Sequence, residues 1–208
     1  MAPSDRYPAA LLGLFVAIFI ALAIAPWYRQ DWLLENLLVF IAVPLLVVNY
    51  RRLRFSDFAY TCLFVFFVLH EVGAHYTYSE VPWREWLAVA AGGDGVIEGR
   101  NHYDRFVHFA YGLLLMPAVC ELFERRASPR GLWRWLMPLL FLMGHSVIYE
   151  MIEWLAALRF GGELGVAYLG TQGDEWDAQK DMALAALGAL TGLTVVAIRG
   201  TSRSARAR

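Results

Sequence analysis

Six apolar stretches, each read as long enough to cross about 30 Å of hydrocarbon, constrain this chain more than any other feature. They cover residues 9–26, 32–50, 58–73, 103–122, 132–158 and 182–198. Lipid offers backbone amides and carbonyls no partners, so open segments of this kind can cross only as helices. The expected fold is therefore all-α: a single integral membrane domain over residues 1–208, a polytopic bundle of about six transmembrane helices. Composition agrees, with 59% hydrophobic and 18% charged residues, where a soluble domain is nearer to one half and one quarter.

Arginine placement predicts orientation. Arg51, Arg52 and Arg54 follow the second stretch; Arg125, Arg126, Arg130 and Arg134 follow the fourth; Arg199, Arg203, Arg206 and Arg208 follow the sixth. Basic residues in short loops stay on the cytoplasmic side, which puts both termini inside. Tyr7, Tyr50, Trp133 and Trp135 then fit an inner aromatic belt, and Trp27, Tyr28, Trp32, Trp83, Trp86, Trp154 and Trp176 an outer one. The first stretch ends in a small-residue run resembling a signal cleavage site, but Pro26 follows at once and the run is long for a signal core, so a retained helix is expected. Two outer connections are long. Within residues 74–101, Pro82–Ala91 reads as a short interfacial helix and Gly92-Gly93-Asp94-Gly95 as a turn; the other, residues 159–176, is rich in glycine.

Composition also narrows the partners. A net charge of -1 with scattered basic groups gives no stripe for nucleic acid. Cys62 and Cys120 sit in separate apolar runs without ligand spacing, as packed thiols do. Membrane lipid is the expected surrounding partner, and a lipid or envelope-derived molecule the expected substrate class.

The ionisable residues are unevenly placed. His70, Glu71 and His75 end the third stretch; His102, Asp104 and His108 open the fourth. His145, Glu150 and Glu153 occupy the outer half of the fifth, and Asp174, Asp177 and Asp181 precede or open the sixth. All five histidines are in this set. Asp104 and His108 are four apart and share a helix face, as do Asp177 and Asp181. His145, Tyr149 and Glu153 form a stripe at the same spacing. An ionisable group within a span costs at least about 2.5–3.5 kcal/mol on insertion scales, so such groups must face one another, a cavity or an ion. Carboxylates with imidazoles suit a divalent cation, the oxygens favouring Mg, Ca or Mn and the imidazoles Zn or Fe. On this reading Asp104, His108, Asp174, Asp177, Asp181 and His70 are candidate metal ligands, and Glu150, Glu153 and His145 candidate acid–base groups. Arg105 and Lys180 each adjoin an aspartate, but adjacent helical residues point about 100° apart, so neither need face the cluster.

His-Tyr-Thr-Tyr-Ser-Glu-Val-Pro (75–82), Asn-His-Tyr-Asp-Arg-Phe-Val-His-Phe (101–109), Tyr-Glu-Met-Ile-Glu-Trp (149–154) and Leu-Gly-Thr-Gln-Gly-Asp-Glu-Trp-Asp-Ala-Gln-Lys-Asp-Met (169–182) resemble the YjdF family of bacterial inner-membrane proteins, a domain of unknown function. The resemblance covers most of the chain after the second stretch and implies an inner-membrane location without an activity. The order Asp104/His108, Glu150/Glu153, Asp177/Asp181, Gly188 is also similar to VanZ-like proteins, linked with resistance to a glycopeptide antibiotic. Glu153 stands where those usually carry glutamine, which adds negative charge.

Three functions fit these residues: a metal-dependent enzyme acting on a lipid or envelope substrate at the outer face, an ion- or proton-coupled transporter, and a non-catalytic envelope protein locked by a polar network. The inner halves of the stretches look uniformly apolar, which speaks against a continuous transport path.

Overall fold

The computed structural model describes residues 5–93, 99–162 and 169–206, with no strand among them. In chain order the helices are α1 (Arg6–Leu22), α2 (Arg29–Glu35), α3 (Leu37–Asn49), α4 (Asp57–Tyr76), α5 (Trp83–Ala90), α6 (Tyr103–Arg126), α7 (Trp133–Phe160) and α8 (Asp177–Arg206), with a 3-10 turn at Tyr78–Glu80. Four of them, α4, α6, α7 and α8, are long and apolar enough to cross a membrane. The pair α2 and α3, bent by 40°, makes a fifth span if counted as one, and α1 is a shorter apolar helix of 17 residues. The interfacial helix expected at 82–91 is α5; part of the turn after it and of the glycine-rich connection at 159–176 lies outside the described residues.

Surface and interior follow from lipid as solvent. Ile20, Ile41, Val48, Leu140, Ile148, Leu155 and Leu187 are exposed, as an apolar surround permits. Buried polar residues gather instead inside one end of the bundle: Asp31, Glu35, Asn36, His70, Glu71, Thr77, Asp177 and Asp181. Toward the opposite end the packing between helices is largely apolar, beside a cavity of about 330 Å³ between α1, α3 and α4 that Asp5, Tyr50 and Arg51 help to line. Phe55, Ala59, Leu63 and Ala118 form one cluster, and Met116, Val119, Cys120, Leu142 and Ala189 another. Cys62 and Cys120 are free, buried thiols.

Small residues set the central contact. A methyl placed on Gly112 would come 2.0 Å from the Ala185 carbonyl oxygen, and one on Gly192 2.7 Å from Met116 Cβ. Helices α6 and α8 therefore touch backbone to backbone, the arrangement that small residues allow where lipid supplies no hydrophobic drive. On α8, Asp181 lies one turn above Ala185 and two turns above Gly188 and Ala189, so the polar residues continue the small-residue stripe. Asp104, His108 and Gly112 do the same on α6. The close approach of the two helices thus delivers Asp181 to Asp104 and His108.

Local signals fix the ends. Ser56 caps α4 through a hydrogen bond from the Ala59 amide at 3.2 Å, and Glu121 holds Ser56 in place through its amide at 2.8 Å. Gly161, at φ +61°, closes α7 by donating to the Ala157 carbonyl at 2.8 Å. The break between α2 and α3 falls at Asn36, whose side-chain amide donates to the Trp32 carbonyl at 2.9 Å. Helix α1 joins the bundle through Phe15 and Phe67, with ring centroids 5.6 Å apart.

Candidate functional site

Five helices, α2, α4, α6, α7 and α8, bring ionisable groups to the polar end of the bundle. Asp104 and His108 on α6 meet Asp181 on α8, and one ligand atom from each lies within 4.8 Å of the other two. His108 Nε2 is 3.4 Å from Asp104 Oδ1 and 3.7 Å from Glu150 Oε1 on α7. Asp181 is 2% exposed, and its Oδ1, like Glu150 Oε1, is buried without a hydrogen bond. Glu153 lies one turn further along α7 and lines a small void with Asp104.

Asp174 and Asp177 are placed differently. Arg105 reaches both, at 2.5 Å from Asp174 Oδ2 and 3.0 Å from Asp177 Oδ1. Lys180 Nζ lies 2.6 Å from Asp174 Oδ2, and Arg100 pairs with Asp177. Arg105 and Lys180 therefore pair with Asp174 in the turn before α8, and Arg105 also with Asp177 at its first residue. The Lys180 ammonium and the Trp176 amide hydrogen bond to Asp174 and hold its carboxyl well below the usual range.

His70 is engaged on both ring nitrogens: Nδ1 is 2.5 Å from the Tyr78 hydroxyl and Nε2 3.2 Å from the Glu35 carbonyl oxygen. It stands apart from the Asp104–His108–Asp181 group and lines an adjacent cavity. Burial pushes the Tyr78 hydroxyl far up, so it stays a hydrogen-bonding alcohol at neutral pH. Its ring crosses Gly73, where a methyl would come within 2.6 Å. His145 also stands apart, stacked on Tyr111 with its Nδ1 3.0 Å from the Tyr111 hydroxyl. His75 Nδ1 lies 2.7 Å from the Leu22 carbonyl oxygen, and His102 is exposed. Both Glu71 carboxylate oxygens are buried without a hydrogen bond.

An apolar cavity of about 290 Å³ meets this group. Leu38, Phe67 and Leu115 line its greasy part, and Asp104, His108 and Tyr149 its polar end. Ile41 and Leu45, 57% and 56% exposed, also line it, so the cavity reaches the lipid-facing surface beside α3.

Interlocked loops cover the site. The Asn101 amide donates to Gln172 Oε1 at 2.8 Å, and Gln172 Nε2 returns a bond to the Asn101 carbonyl at 2.9 Å. Asn101 Oδ1 accepts from the Tyr103 amide at 3.0 Å and so satisfies a free donor at the start of α6. Gly170, at φ +60°, lies over Asp104: a methyl there would sit 3.9 Å from Asp104 Oδ2.

Sequence reasoning missed two acids. Asp31 is 1% exposed and accepts from Thr77 Oγ1 at 2.6 Å; Glu35 is 4% exposed and accepts from the Tyr149 hydroxyl at 2.8 Å. They are four apart on α2, the same spacing that singled out Asp104 and His108. Drawing the second stretch from Trp32 left Asp31 outside it and Glu35 unremarked.

Comparison with known proteins adds a family. A family profile described as "Predicted membrane protein (DUF2238)" matches residues 7–202. Inner membrane protein YjdF of Escherichia coli (strain K12) is 36% identical over 187 residues, covering 86% of this chain and 84% of its own. No solved structure matches significantly.

Proposed function

This chain belongs to the DUF2238 family of predicted membrane proteins, and we propose that it is a metal-dependent enzyme of the bacterial inner membrane acting on a lipid or envelope-derived substrate. One observation carries the reading: the Asp104–His108–Asp181 group stands at the polar end of an apolar cavity that reaches the lipid-facing surface.

The residues fit a divalent ion. Ligand atoms at about 2.0–2.6 Å from one centre are at most about 4–5 Å from each other, and these three lie within 4.8 Å. The unsatisfied Asp181 Oδ1 and Glu150 Oε1 supply lone pairs that no protein donor uses. Among the described residues, no Lys or Arg forms an ion pair with Asp104, Asp181, Glu150 or Glu153. Carboxylates this close in low dielectric require a cation or shared protons. A bound divalent ion supplies Lewis-acid polarisation of a phosphoryl or carbonyl oxygen and a more acidic water.

The chain's own groups take the remaining roles. Glu150, beside His108, is the general base, and Glu153, hydrogen-bonded to it one turn along α7, shares its proton. His145 and Tyr111 line the cavity and present hydrogen-bonding atoms to a headgroup. The alkyl portion of the substrate lies along Leu38, Phe67 and Leu115. The two apolar clusters toward the other end of the bundle support an enzyme over a transporter, because the His/Asp/Glu group does not extend into them.

To test this, purified protein is incubated with bacterial envelope lipid extract and Mg, Mn, Ca or Zn, and headgroup release is followed by mass spectrometry. Release that requires one of these cations and falls at least about 100-fold in His108→Ala and Glu150→Gln is expected. Absence of any cation-dependent product contradicts the enzyme reading and leaves a proton-sharing structural network.

A further inference from the structure

The cavity of about 330 Å³ at the other end of the bundle has apolar walls: Leu12 and Phe15 from α1, Leu46 and Val47 from α3, Leu63 and Phe67 from α4. Phe67 also lines the first cavity and is a wall the two share. Helices α1 and α3 meet on either side of the opening. Phe19 and Phe40 touch beyond its deep end, with ring centroids 6.0 Å apart, and at the mouth the Tyr50 hydroxyl donates to Asp5 Oδ1 at 2.9 Å. Between these contacts Leu12 and Val47 are 37% and 50% exposed, so the cavity has a window onto the lipid-facing surface. From Asp5 to Phe15 its wall rises about 15 Å along α1. That is half of a hydrocarbon core of about 30 Å, the depth of one leaflet.

Positive charge gathers at the mouth. Arg51 lines the cavity, and Arg52 and Arg54 follow it between α3 and α4. Asp5, the one acid among the described lining residues, accepts from Tyr50 and lies 3.4 Å from Arg54, so its charge is answered within the protein. Arg51 and Arg52 are exposed and form no ion pair among the described residues. An apolar slot of leaflet depth with such guanidinium groups at its mouth complements a molecule that is greasy along its length and anionic at one end. A free phosphate would leave the slot empty, and an uncharged apolar molecule would leave the arginines unmatched. The planar fork of arginine takes two phosphate oxygens at once, and basic residues beside a membrane surface attract anionic headgroups.

We propose that this cavity binds one anionic phospholipid of the leaflet at that end, with an acyl chain between α1 and α3 and the phosphate on Arg51 and Arg52. The site is separate from the Asp104–His108–Asp181 group, and the inference goes beyond the enzyme reading without resting on it.

To test it, full-length protein is delipidated in detergent and titrated with phosphatidylglycerol or with phosphatidylcholine of the same chains, and bound lipid is counted by native mass spectrometry. One phosphatidylglycerol per chain is expected at a concentration at least about fivefold below that needed for phosphatidylcholine, the scale of one arginine near an anionic headgroup. Arg51→Gln/Arg52→Gln should bring the two lipids level. Arg126→Gln/Arg130→Gln removes the same charge from exposed positions at the end of α6 and beyond it, and should leave the preference intact. Leu12→Trp should weaken binding of both lipids by filling the window. Equal binding of the two lipids by the unaltered protein overturns the proposal whatever the variants do, and leaves the enzyme reading untouched because neither metal nor turnover is measured. A preference that survives Arg51→Gln/Arg52→Gln, or that both arginine pairs abolish alike, belongs to general surface charge and also overturns it. Binding that Leu12→Trp leaves unchanged places the lipid outside the cavity, with the same consequence.

Discussion

Gly188 of α8 lies directly against the Phe109 carbonyl of α6: a methyl on Gly188 would come 2.0 Å from that oxygen. The contact lies two turns from Asp181 and next to His108 in sequence, so it governs how the ligand groups meet. Gly188→Ala must push the helices apart and is expected to destabilise the protein by about 1–3 kcal/mol. Gly144→Ala is the control, because nothing lies within 4 Å of its added methyl; it should be neutral or stabilising by up to about 1 kcal/mol. Denaturant titration of both variants in mixed micelles checks the opposite signs, and equal effects would refute the backbone contact.

Arg105 joins α6 to the turn before α8. It is 17% exposed and pairs with both Asp174 and Asp177. Without Arg105, Asp174 keeps Lys180 and Asp177 keeps Arg100, so neither carboxylate is stranded, but the link from α6 to the turn is lost. Arg105→Ala is therefore expected to lower the melting temperature, and Arg105→Lys to recover part of the loss, since lysine keeps the charge but not the planar fork. Thermal unfolding of the two variants measures this; an unaffected Arg105→Ala would show the pairs to be dispensable.

Asp174 gives this end of the bundle a pH dependence. Its folded-state carboxyl is held below the ordinary value, first by the Lys180 hydrogen bond. A depressed acid pKa stabilises the fold above its unfolded value, about 3.9, and that contribution is lost as pH falls through the folded value. The advantage of the unaltered protein over Asp174→Asn should hold steady from pH 7 to about 5 and shrink below about 4. Melting temperatures across that range provide the check, and a gap that widens in acid would reverse the sign of the argument.

How far these features could be read in advance depended on what sequence spacing reports. Apolar length exposed the long helices, and four-residue spacing paired Asp104 with His108 and Asp177 with Asp181. Spacing fixes a face within one helix but not the partner across the gap. Nothing in the sequence told Asp181, which meets His108, from Asp177, which Arg100 and Arg105 hold. Hydropathy likewise ran unbroken through Asn36, because it does not register where the helix axis bends. Asp31 and Glu35 had the right spacing, but a boundary at Trp32 puts Asp31 outside the second stretch and leaves Glu35 inside it without its partner.

Orientation is testable apart from the site. The arginine groups after the second, fourth and sixth stretches predict both termini in the cytoplasm. A reporter that fluoresces only in the cytoplasm, fused after Arg208, should be active. Activity restricted to a periplasmic reporter would invert the arrangement and place the His/Asp/Glu group at the inner face.

The most direct measurement is the divalent metal content of protein purified without chelator, beside His108→Ala and Asp181→Asn. The account predicts at least one stoichiometric divalent ion per chain in the unaltered protein. It predicts fewer ions in each variant, together with a melting temperature that rises when Mg, Mn, Ca or Zn is added to metal-stripped unaltered protein. Protein with no stoichiometric metal, whose melting temperature responds to none of these ions, would contradict it.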